Sequence, residues 1–255
     1  MKLKSIADFI SWEIKKKMIH LQDIFDKLIW KPYQKIDLDT FLNRHAVIPD
    51  FYFIQIGAND GVTGDKINGY IKNFHWKGIL VEPVPYIFNR LIENYNQTNG
   101  LIFENSAIGK TNGYLPFYSI AEKNSLGVSH KELLSGFGLD QLGSFNKEVL
   151  LKHSGMIPDF ESFVCEIKVP TITFNELVIK HNVSKINLLQ VDTEGYDYDI
   201  LINTDFSKIR PELLIFEHQH MTRLQYKKLI KRIRSLDYSF YINGWDTIGI
   251  LNMKN

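Results

Sequence analysis

The chain has 255 residues, of which 44% are hydrophobic and 23% are charged, as in ordinary soluble domains rather than disordered or collagen-like chains. Lys and Arg number 30 against 29 Asp and Glu, so a formal charge of +1 gives no overall electrostatic reason to bind nucleic acid. No apolar run approaches the ~18 residues of a membrane span, and one cysteine, Cys165, excludes an internal disulfide.

Apolar residues near the start of the chain recur every three or four positions, which predicts an amphipathic helix. We expect a helical extension over residues 1–48 that packs on the main domain or on a second copy, giving a homo-oligomer. A basic helix on an anionic membrane surface is the alternative, because Lys15–Lys17 lie within it. These lysines also interrupt any signal-peptide pattern, so we expect a cytoplasmic protein. The apolar positions are Ile6, Phe9, Ile10, Ile14, Met18, Leu21, Ile24, Phe25, Leu28 and Ile29.

Residues 49–255 alternate short apolar runs with helical patterns, which predicts an α/β domain with a mostly parallel sheet. Asn243-Gly244 between two apolar runs predicts a closing antiparallel hairpin within Ser239–Leu251. The predicted strands are Phe51–Ile56, Gly78–Val81, Leu101–Phe103 continuing toward Ser106–Ile108, Tyr114–Tyr118, Ile186–Val191 and Glu212–Phe216. The predicted helices are Asp39–Arg44, Asp65–Phe74, Pro85–Tyr95, one beginning at Thr171–Thr173 with a capping box from Thr173 to Glu176, Gly195–Ile202 and Thr222–Leu236.

Residues 119–163 interrupt this alternation and show no stable period. So long a segment in a compact domain is usually a lid or a binding insertion, and we expect this one on the substrate side. Its basic residues suit a diphosphate, although a solvated surface is the alternative. They are Lys123, His130, Lys131, Lys147, Lys152 and His153.

The loop Gly57–Gly61 lies between a predicted buried strand and a helix, where open α/β sheets bind ligands. Glu82 ends the next strand and can accept hydrogen bonds from both hydroxyls of a ribose. Together, loop and acid indicate a nucleoside cofactor. The glycine spacing is not the G-x-G-x-x-G of dinucleotide sites, and Asp60 would repel a pyrophosphate but suits an ammonium and a sulfonium. S-adenosylmethionine therefore fits better than NAD.

Four motifs resemble those of FkbM-type methyltransferases. They are Phe53-Ile-Gln-Ile-Gly-Ala-Asn-Asp-Gly61, Val81-Glu-Pro-Val-Pro85, Asn105-Ser-Ala-Ile-Gly109 and Leu189-Gln-Val-Asp-Thr-Glu-Gly-Tyr-Asp197. The resemblance runs from about Phe51 to Leu251. It implies a Rossmann-like, seven-stranded class I methyltransferase sheet and O-methylation with S-adenosylmethionine.

The same resemblance implies which residues bind the cofactor. Gly57, Asn59, Asp60 and Gly61 would line the methionine part, Glu82 would bind the ribose, and Ser106 and Ala107 would border the adenine. We count Asp192, at the end of the fourth predicted strand, with both the cofactor-binding and the catalytic residues.

An alcohol loses its proton as it attacks a methyl group, so a base or a metal is needed. We predict that His218 is the base, with Asp192 or Glu217 orienting its ring, and we keep Glu194 and His220 as further candidates. Because residues two apart face the same side of a strand, His218 and His220 would lie together if the strand continued that far. Asp192, Glu217 and His218 could instead bind Mg or Mn.

From this resemblance we expect a methyltransferase acting on a sugar hydroxyl, and specifically on a nucleotide-activated sugar for a surface or capsular polysaccharide. An NAD-dependent sugar-nucleotide oxidoreductase or epimerase is the competing enzyme class. It is disfavoured because short-chain dehydrogenases need a Tyr-x-x-x-Lys pair, and no tyrosine here is followed by a lysine four residues on. A non-catalytic nucleoside-binding module is the third possibility.

Overall fold

A computed structural model describes residues 34–124, 127–129, 142–152, 154 and 159–252. The predicted helix over Ile6–Ile29 lies outside the described residues, and so do His130, Lys131 and His153 of the predicted insertion. The expected boundary after residue 48 stays a prediction. Within the described ranges, no helix is both long enough and apolar enough to cross a membrane.

The described residues form two sheets and several helices. The strands are β1 (Gln34–Lys35), β2 (Tyr52–Ile56), β3 (Lys77–Val81), β4 (Leu101–Glu104), β5 (Ala107–Ile108), β6 (Gly113–Ile120), β7 (Gly143–Ser144), β8 (Val164–Ile172), β9 (Leu188–Val191), β10 (Leu213–Glu217), β11 (Tyr238–Asn243) and β12 (Asp246–Leu251). The helices are α1 (Leu38–His45), α2 (Asn68–Phe74), α3 (Pro85–Asn94), α4 (Lys147–Leu151), α5 (Phe174–Lys180), α6 (Asp197–Asn203) and α7 (Arg223–Arg234), with a 3₁₀ turn at Phe160–Phe163.

The main sheet confirms the predicted seven-stranded arrangement. Its strand order is β4-β3-β2-β9-β10-β12-β11, and β12 runs antiparallel to β10 and β11 as the predicted hairpin. The two-residue strand β1 extends the sheet beyond β11. The chain reverses its direction of strand addition between β2 and β9, so the carboxyl ends of these two strands mark the expected ligand site.

Alternation along the central strands divides the core between the two faces of the main sheet. In β2, Ile54 and Ile56 face a cluster with α5, α6 and α7, whereas Phe53 faces a second cluster with α1 and α2. Gln55 shares the second face and is only 2% exposed. A buried amide among apolar neighbours needs a hydrogen-bond partner, so the carboxyl end of β2 has a role beyond packing.

The predicted third strand is two strands in two sheets. β4 ends at Glu104, and β5 pairs with β8 in a second sheet of order β5-β8-β6-β7. The turn between them is stabilised by the Asn105 amide, which donates to the carbonyls of Glu82 at 2.8 Å and Pro83 at 3.2 Å. The apolar run alone does not predict this turn, because the turn depends on the side chain of Asn105.

The strand β8 was not predicted. We expected the loop to continue to residue 163 and the next helix to begin at Thr171–Thr173, but β8 occupies Val164–Ile172 and α5 begins after it. The expected N-cap is present, because the Thr173 hydroxyl accepts from the Glu176 amide at 3.1 Å. β8 pairs with β6 from Val164 to Thr171, and β7, which lies within the predicted insertion, adds a further strand to the same sheet.

Candidate active site

A largely apolar cavity opens at the carboxyl ends of β2, β3 and β9, where open α/β sheets bind ligands. Ser106 and Ala107, the predicted adenine neighbours, both line it. The second sheet closes one side with Phe117 and Phe145, whose rings pack edge to face at 5.1 Å. The rest of the apolar wall consists of Ile56, Val81, Val84, Ile87, Ile108 and Ile200.

Glu82 lies in the wall of this cavity and is 5% exposed. Its Oε2 accepts from the Asn59 amide at 3.1 Å and its Oε1 accepts from the Val84 amide at 2.8 Å. Each carboxylate oxygen therefore keeps capacity for one more donor. Burial raises the pKa of Glu82 to about 7, despite these two hydrogen bonds.

A second, polar cavity lies on the other face of the ends of β2 and β9. Gln55 and Gln190, paired across β2 and β9, line it together with Asp65. The Gln55 amide donates to Asp65 Oδ2 at 2.9 Å. The Oε1 atoms of Gln55 and Gln190 are buried without a hydrogen-bond partner among the described residues. The cavity thus presents a carboxylate and two amide oxygens to a hydrogen-bond donor.

Four residues line both cavities, and we call them the shared rim: Gly57, Asn59, Asp192 and Glu194. Gly57 has a φ of +78°, and a Cβ at this position would collide with the carbonyl oxygen of Asp192. Glycine is therefore required for the backbone of β2 to pass so close to the end of β9. A ligand that fills both cavities would cross the shared rim at Asp192.

Lys66 bridges two carboxylates beside the shared rim. Its Nζ lies 3.2 Å from Asp192 Oδ2 and 2.8 Å from Asp246 Oδ1, which belongs to β12. Burial lowers the pKa of Lys66, but the two carboxylates outweigh it and raise the pKa above its usual value. Lys66 is therefore charged and ties the loop after β2 to both strand ends.

Glu194, Glu217 and His220 form a second ionisable group, which we call the Glu–Glu–His cluster. His220 Nε2 lies 3.2 Å from Glu194 Oε2 and 3.6 Å from Glu217 Oε2. Burial is the main cause that raises the pKa of Glu217 to about 9, and repulsion from Asp192, Glu194 and Asp197 adds to it. Lys66 does not relieve this crowding of carboxyl groups, because it is already paired with Asp192 and Asp246.

His218 does not join this cluster, because the chain leaves β10 at Glu217 and the alternation does not continue to residue 220. Glu217 and His218 point to opposite sides, and His218 is buried at 2% exposure with its ring 5.6 Å from that of Tyr226. Its Nδ1 lies 3.0 Å from the Thr247 hydroxyl. Burial lowers the pKa of His218 to about 4. His220, by contrast, meets Glu194 and Glu217.

Asp60 and Gly61 line neither cavity. The Asp60 carboxylate accepts from the Val62 and Thr63 amides at 2.9 and 2.7 Å, and these bonds lower its pKa although burial would raise it. Gly61 leaves space for a ring and a methyl group, because a Cβ there would overlap Tyr95 and lie 2.6 Å from Leu91. Both residues shape the loop, whereas Asn59 faces the cavities.

Several residues of the site were not among the predicted ones: Gln55, Lys66, Phe145, Gln190 and Asp246. Two of them, Gln55 and Gln190, could have been predicted from the sequence pattern. Gln55 and Gln190 each stand one residue before the last residue of an otherwise apolar buried strand, where an amide needs a partner. Lys66 and Asp246 could not be predicted in this way, because a loop and a hairpin 180 residues apart meet only in the folded sheet.

Residues 55–240 match the family model described as the methyltransferase FkbM domain. No curated protein matches the chain.

Several solved structures are similar to this chain at low identity. The methyltransferase FkbM from Methylobacillus flagellatus KT has 13% identity and a TM-score of 0.49, over 87% of this chain and 49% of that one. This chain thus spans about half the length of that protein. A ribosomal protein L11 methylase from Lactobacillus delbrueckii subsp. bulgaricus has 10% identity and a TM-score of 0.41, over 86% and 78%. Aeropyrum pernix fibrillarin, solved with natively bound S-adenosyl-L-methionine, has 8% identity and a TM-score of 0.41, over 80% and 68%.

Proposed function

Because the chain belongs to the FkbM methyltransferase family, as its motifs indicated, we propose that it uses S-adenosylmethionine to methylate a hydroxyl group of a sugar. The observation that supports this most is the shared rim, where an apolar cavity with a buried carboxylate meets a polar cavity beside Asp192. A cofactor with an aromatic base and a ribose at one end and a charged amino-acid group at the other suits this pair of cavities.

The adenosine part fits the apolar cavity. Glu82 would accept hydrogen bonds from both ribose hydroxyls with the capacity that the Asn59 and Val84 amides leave. The adenine would lie against Ser106 and Ala107, with Phe145 on the opposite wall.

The methionine part fits the polar cavity. Its ammonium group would donate to the unpartnered Oε1 atoms of Gln55 and Gln190 and face the carboxylate of Asp65. This replaces Asp60 as the ammonium partner, since the oxygens of Asp60 bind the turn that follows it.

Methyl transfer is an in-line displacement, and positioning the acceptor oxygen against the methyl carbon supplies much of the rate. Asp192, on the shared rim, would take the acceptor's proton, so that the O–H bond breaks as the new O–CH₃ bond forms. The C–S bond of the sulfonium breaks at the same time, and its electron pair stays on sulfur. His218 would not act as the base, because its ring packs against Tyr226 and Thr247, away from the shared rim.

The acceptor class is the finer part of the proposal. We propose a nucleotide-activated sugar used for a surface or capsular polysaccharide, in line with the sequence resemblance. Exposed Lys123, Lys147 and Lys152 in the described part of the insertion are available to a diphosphate.

The test is methyl incorporation from labelled S-adenosylmethionine into a panel of nucleotide sugars, with mass spectrometry of the ligand that copurifies. Asp192→Asn should lower kcat by about 10²–10⁴-fold. Asp246→Asn is the matched control, because Asp246 binds the same lysine but lines neither cavity. Copurifying NAD would instead support an oxidoreductase, and the absence of any nucleoside ligand or turnover would support a non-catalytic module.

A further inference from the structure

We propose that the Glu–Glu–His cluster is a binding site for a divalent cation of the Mg²⁺ and Mn²⁺ class. One ligand atom from each of the three residues lies within 4.8 Å of the other two. Glu194 comes from the loop after β9, whereas Glu217 and His220 come from the end of β10 and the turn that follows, so the fold brings two segments of the chain to one point. The site itself does not depend on the proposed function, but the role of the cation in methyl transfer rests on it.

The distances suit a small divalent ion. Metal–ligand bonds of about 2.1 Å place adjacent ligands of an octahedron about 3.0 Å apart and opposite ligands about 4.2 Å apart. The His220 Nε2 distances of 3.2 Å to Glu194 Oε2 and 3.6 Å to Glu217 Oε2 fall between these values. Two carboxylates with one imidazole are a ligand set that Mn²⁺ and Mg²⁺ accept.

Glu217 provides an independent indication of a missing partner. Its side chain is 13% exposed, and its Oε2 is fully shielded from solvent without a hydrogen bond to any described residue. A buried carboxylate oxygen without a donor is costly. A cation between Glu217 and His220 would satisfy that oxygen without moving the backbone.

The surrounding charge favours a cation rather than a further hydrogen-bond donor. Asp192 and Asp197 both act electrostatically on Glu217, and the nearby Lys66 is already bonded to Asp192 and Asp246. Among the described residues, no Lys or Arg pairs with Glu194 or Glu217, so these carboxyl groups have no cationic partner other than His220. Glu194 is 25% exposed and lines both cavities, so a cation held by it would lie beside the shared rim, where the proposed acceptor hydroxyl would enter. There the cation would bind the hydroxyl oxygen and ease the loss of its proton to Asp192.

The experiment is a Mn²⁺ titration of the full chain after metals have been removed with EDTA. The EPR signal of free Mn²⁺ measures how much of the ion is bound. We expect about one Mn²⁺ per chain, with Glu217→Gln and His220→Gln each weakening binding by at least about tenfold. Glu104→Gln is the matched control. Glu104 also contacts a histidine, His181, at 2.9 Å, but Lys180 occupies its oxygens, so Mn²⁺ binding should not change.

Affinity for S-adenosylmethionine provides the folding control, because Glu217 and His220 line neither cavity and both variants should bind the cofactor normally. The proposal is overturned if the wild-type chain binds no Mn²⁺ below about 1 mM, the weak end of protein divalent sites. Folded Glu217→Gln and His220→Gln variants that bind Mn²⁺ like the wild type would overturn it as well. Methyl transfer that persists in EDTA would support the proposed function but exclude a role of the cation in it. Mn²⁺ binding without any methyl transfer would support the cation site but not the proposed function.

Discussion

The Ser144 hydroxyl donates a 2.9 Å hydrogen bond to the main-chain carbonyl of Glu194. Ser144 belongs to β7 of the second sheet and is 2% exposed, whereas Glu194 follows β9 of the main sheet. Glu194 has a φ of 48°, a left-handed conformation that is unfavourable for residues other than glycine. The second sheet therefore helps hold the loop that brings Glu194 to both cavities and to His220.

Ser144→Ala should reduce turnover by about two- to tenfold, because one net hydrogen bond is worth about 0.5–1.5 kcal/mol. The change should appear in kcat, measured at saturating cofactor. Ser119→Ala is the control, since Ser119 is equally buried in the same sheet but its hydroxyl faces Cys165. Equal effects of the two substitutions would show that Ser144 serves only the stability of the second sheet.

Glu82 should make cofactor binding dependent on pH. Its pKa of about 7 lies above the usual value, so the folded protein without cofactor holds a proton there below neutral pH. Two ribose hydroxyls donate best to the ionised carboxylate, and binding must release that proton. Affinity for S-adenosylmethionine should therefore fall by up to about tenfold per pH unit below about pH 7 and level off above it. Calorimetry in buffers of different ionisation enthalpy measures the released proton.

Glu82→Gln should remove this pH dependence and weaken cofactor binding by about ten- to a hundredfold at pH 8. Glu104→Gln removes a buried carboxylate from the end of the neighbouring strand and should leave cofactor affinity unchanged. A steep pH profile that survives in Glu82→Gln would mean that another group is responsible.

The sequence predicted the main sheet well because its strands are buried and their apolar runs end at Gly57, Glu82, Asp192 and Glu217. The second sheet was harder to predict, since β8 buries only Val169 and Thr171 of its nine residues and contains Pro170. The cofactor residues next to glycine and at strand ends could be named from local patterns. Lys66 could not, because its partners are fixed only when β12 inserts between β10 and β11.

The choice between the two histidines shows the same limit. Residues two apart face the same side only within a strand, and β10 ends at Glu217. Beyond that point a turn places His220 against Glu194, which no period in the sequence encodes.

Asp197 should make the free energy of unfolding depend on pH. It is 2% exposed, and burial together with Asp192 raises its pKa to about 8, from an ordinary value of 3.8. Between these two values the folded state keeps a proton that the unfolded state has lost. Stability should therefore decrease as pH rises, by up to about 1.4 kcal/mol per pH unit, and the decrease should end above about pH 8.

Urea unfolding of Asp197→Asn from pH 5 to 8 checks this, because the asparagine does not titrate and the slope should become shallower. Only the slope is diagnostic, since the variant also perturbs the hydrogen bonds from Thr193 to Asp197 Oδ2. Asp199→Asn, in the same helix with its carboxylate paired to Lys110, should keep the wild-type slope.

His218→Gln and His220→Gln should differ in turnover. His220 lies between Glu194 and Glu217, so its loss should lower kcat by about 10²-fold or more, because its imidazole would help hold the cation that binds the acceptor hydroxyl. His218 is buried against Tyr226 and Thr247 on the other side, and its pKa of about 4 keeps it neutral at working pH. Its substitution should reduce stability while the folded fraction retains kcat within a few-fold. Measuring kcat per mole of cofactor-binding sites separates the two effects, and a large loss confined to His218→Gln would restore His218 as the base.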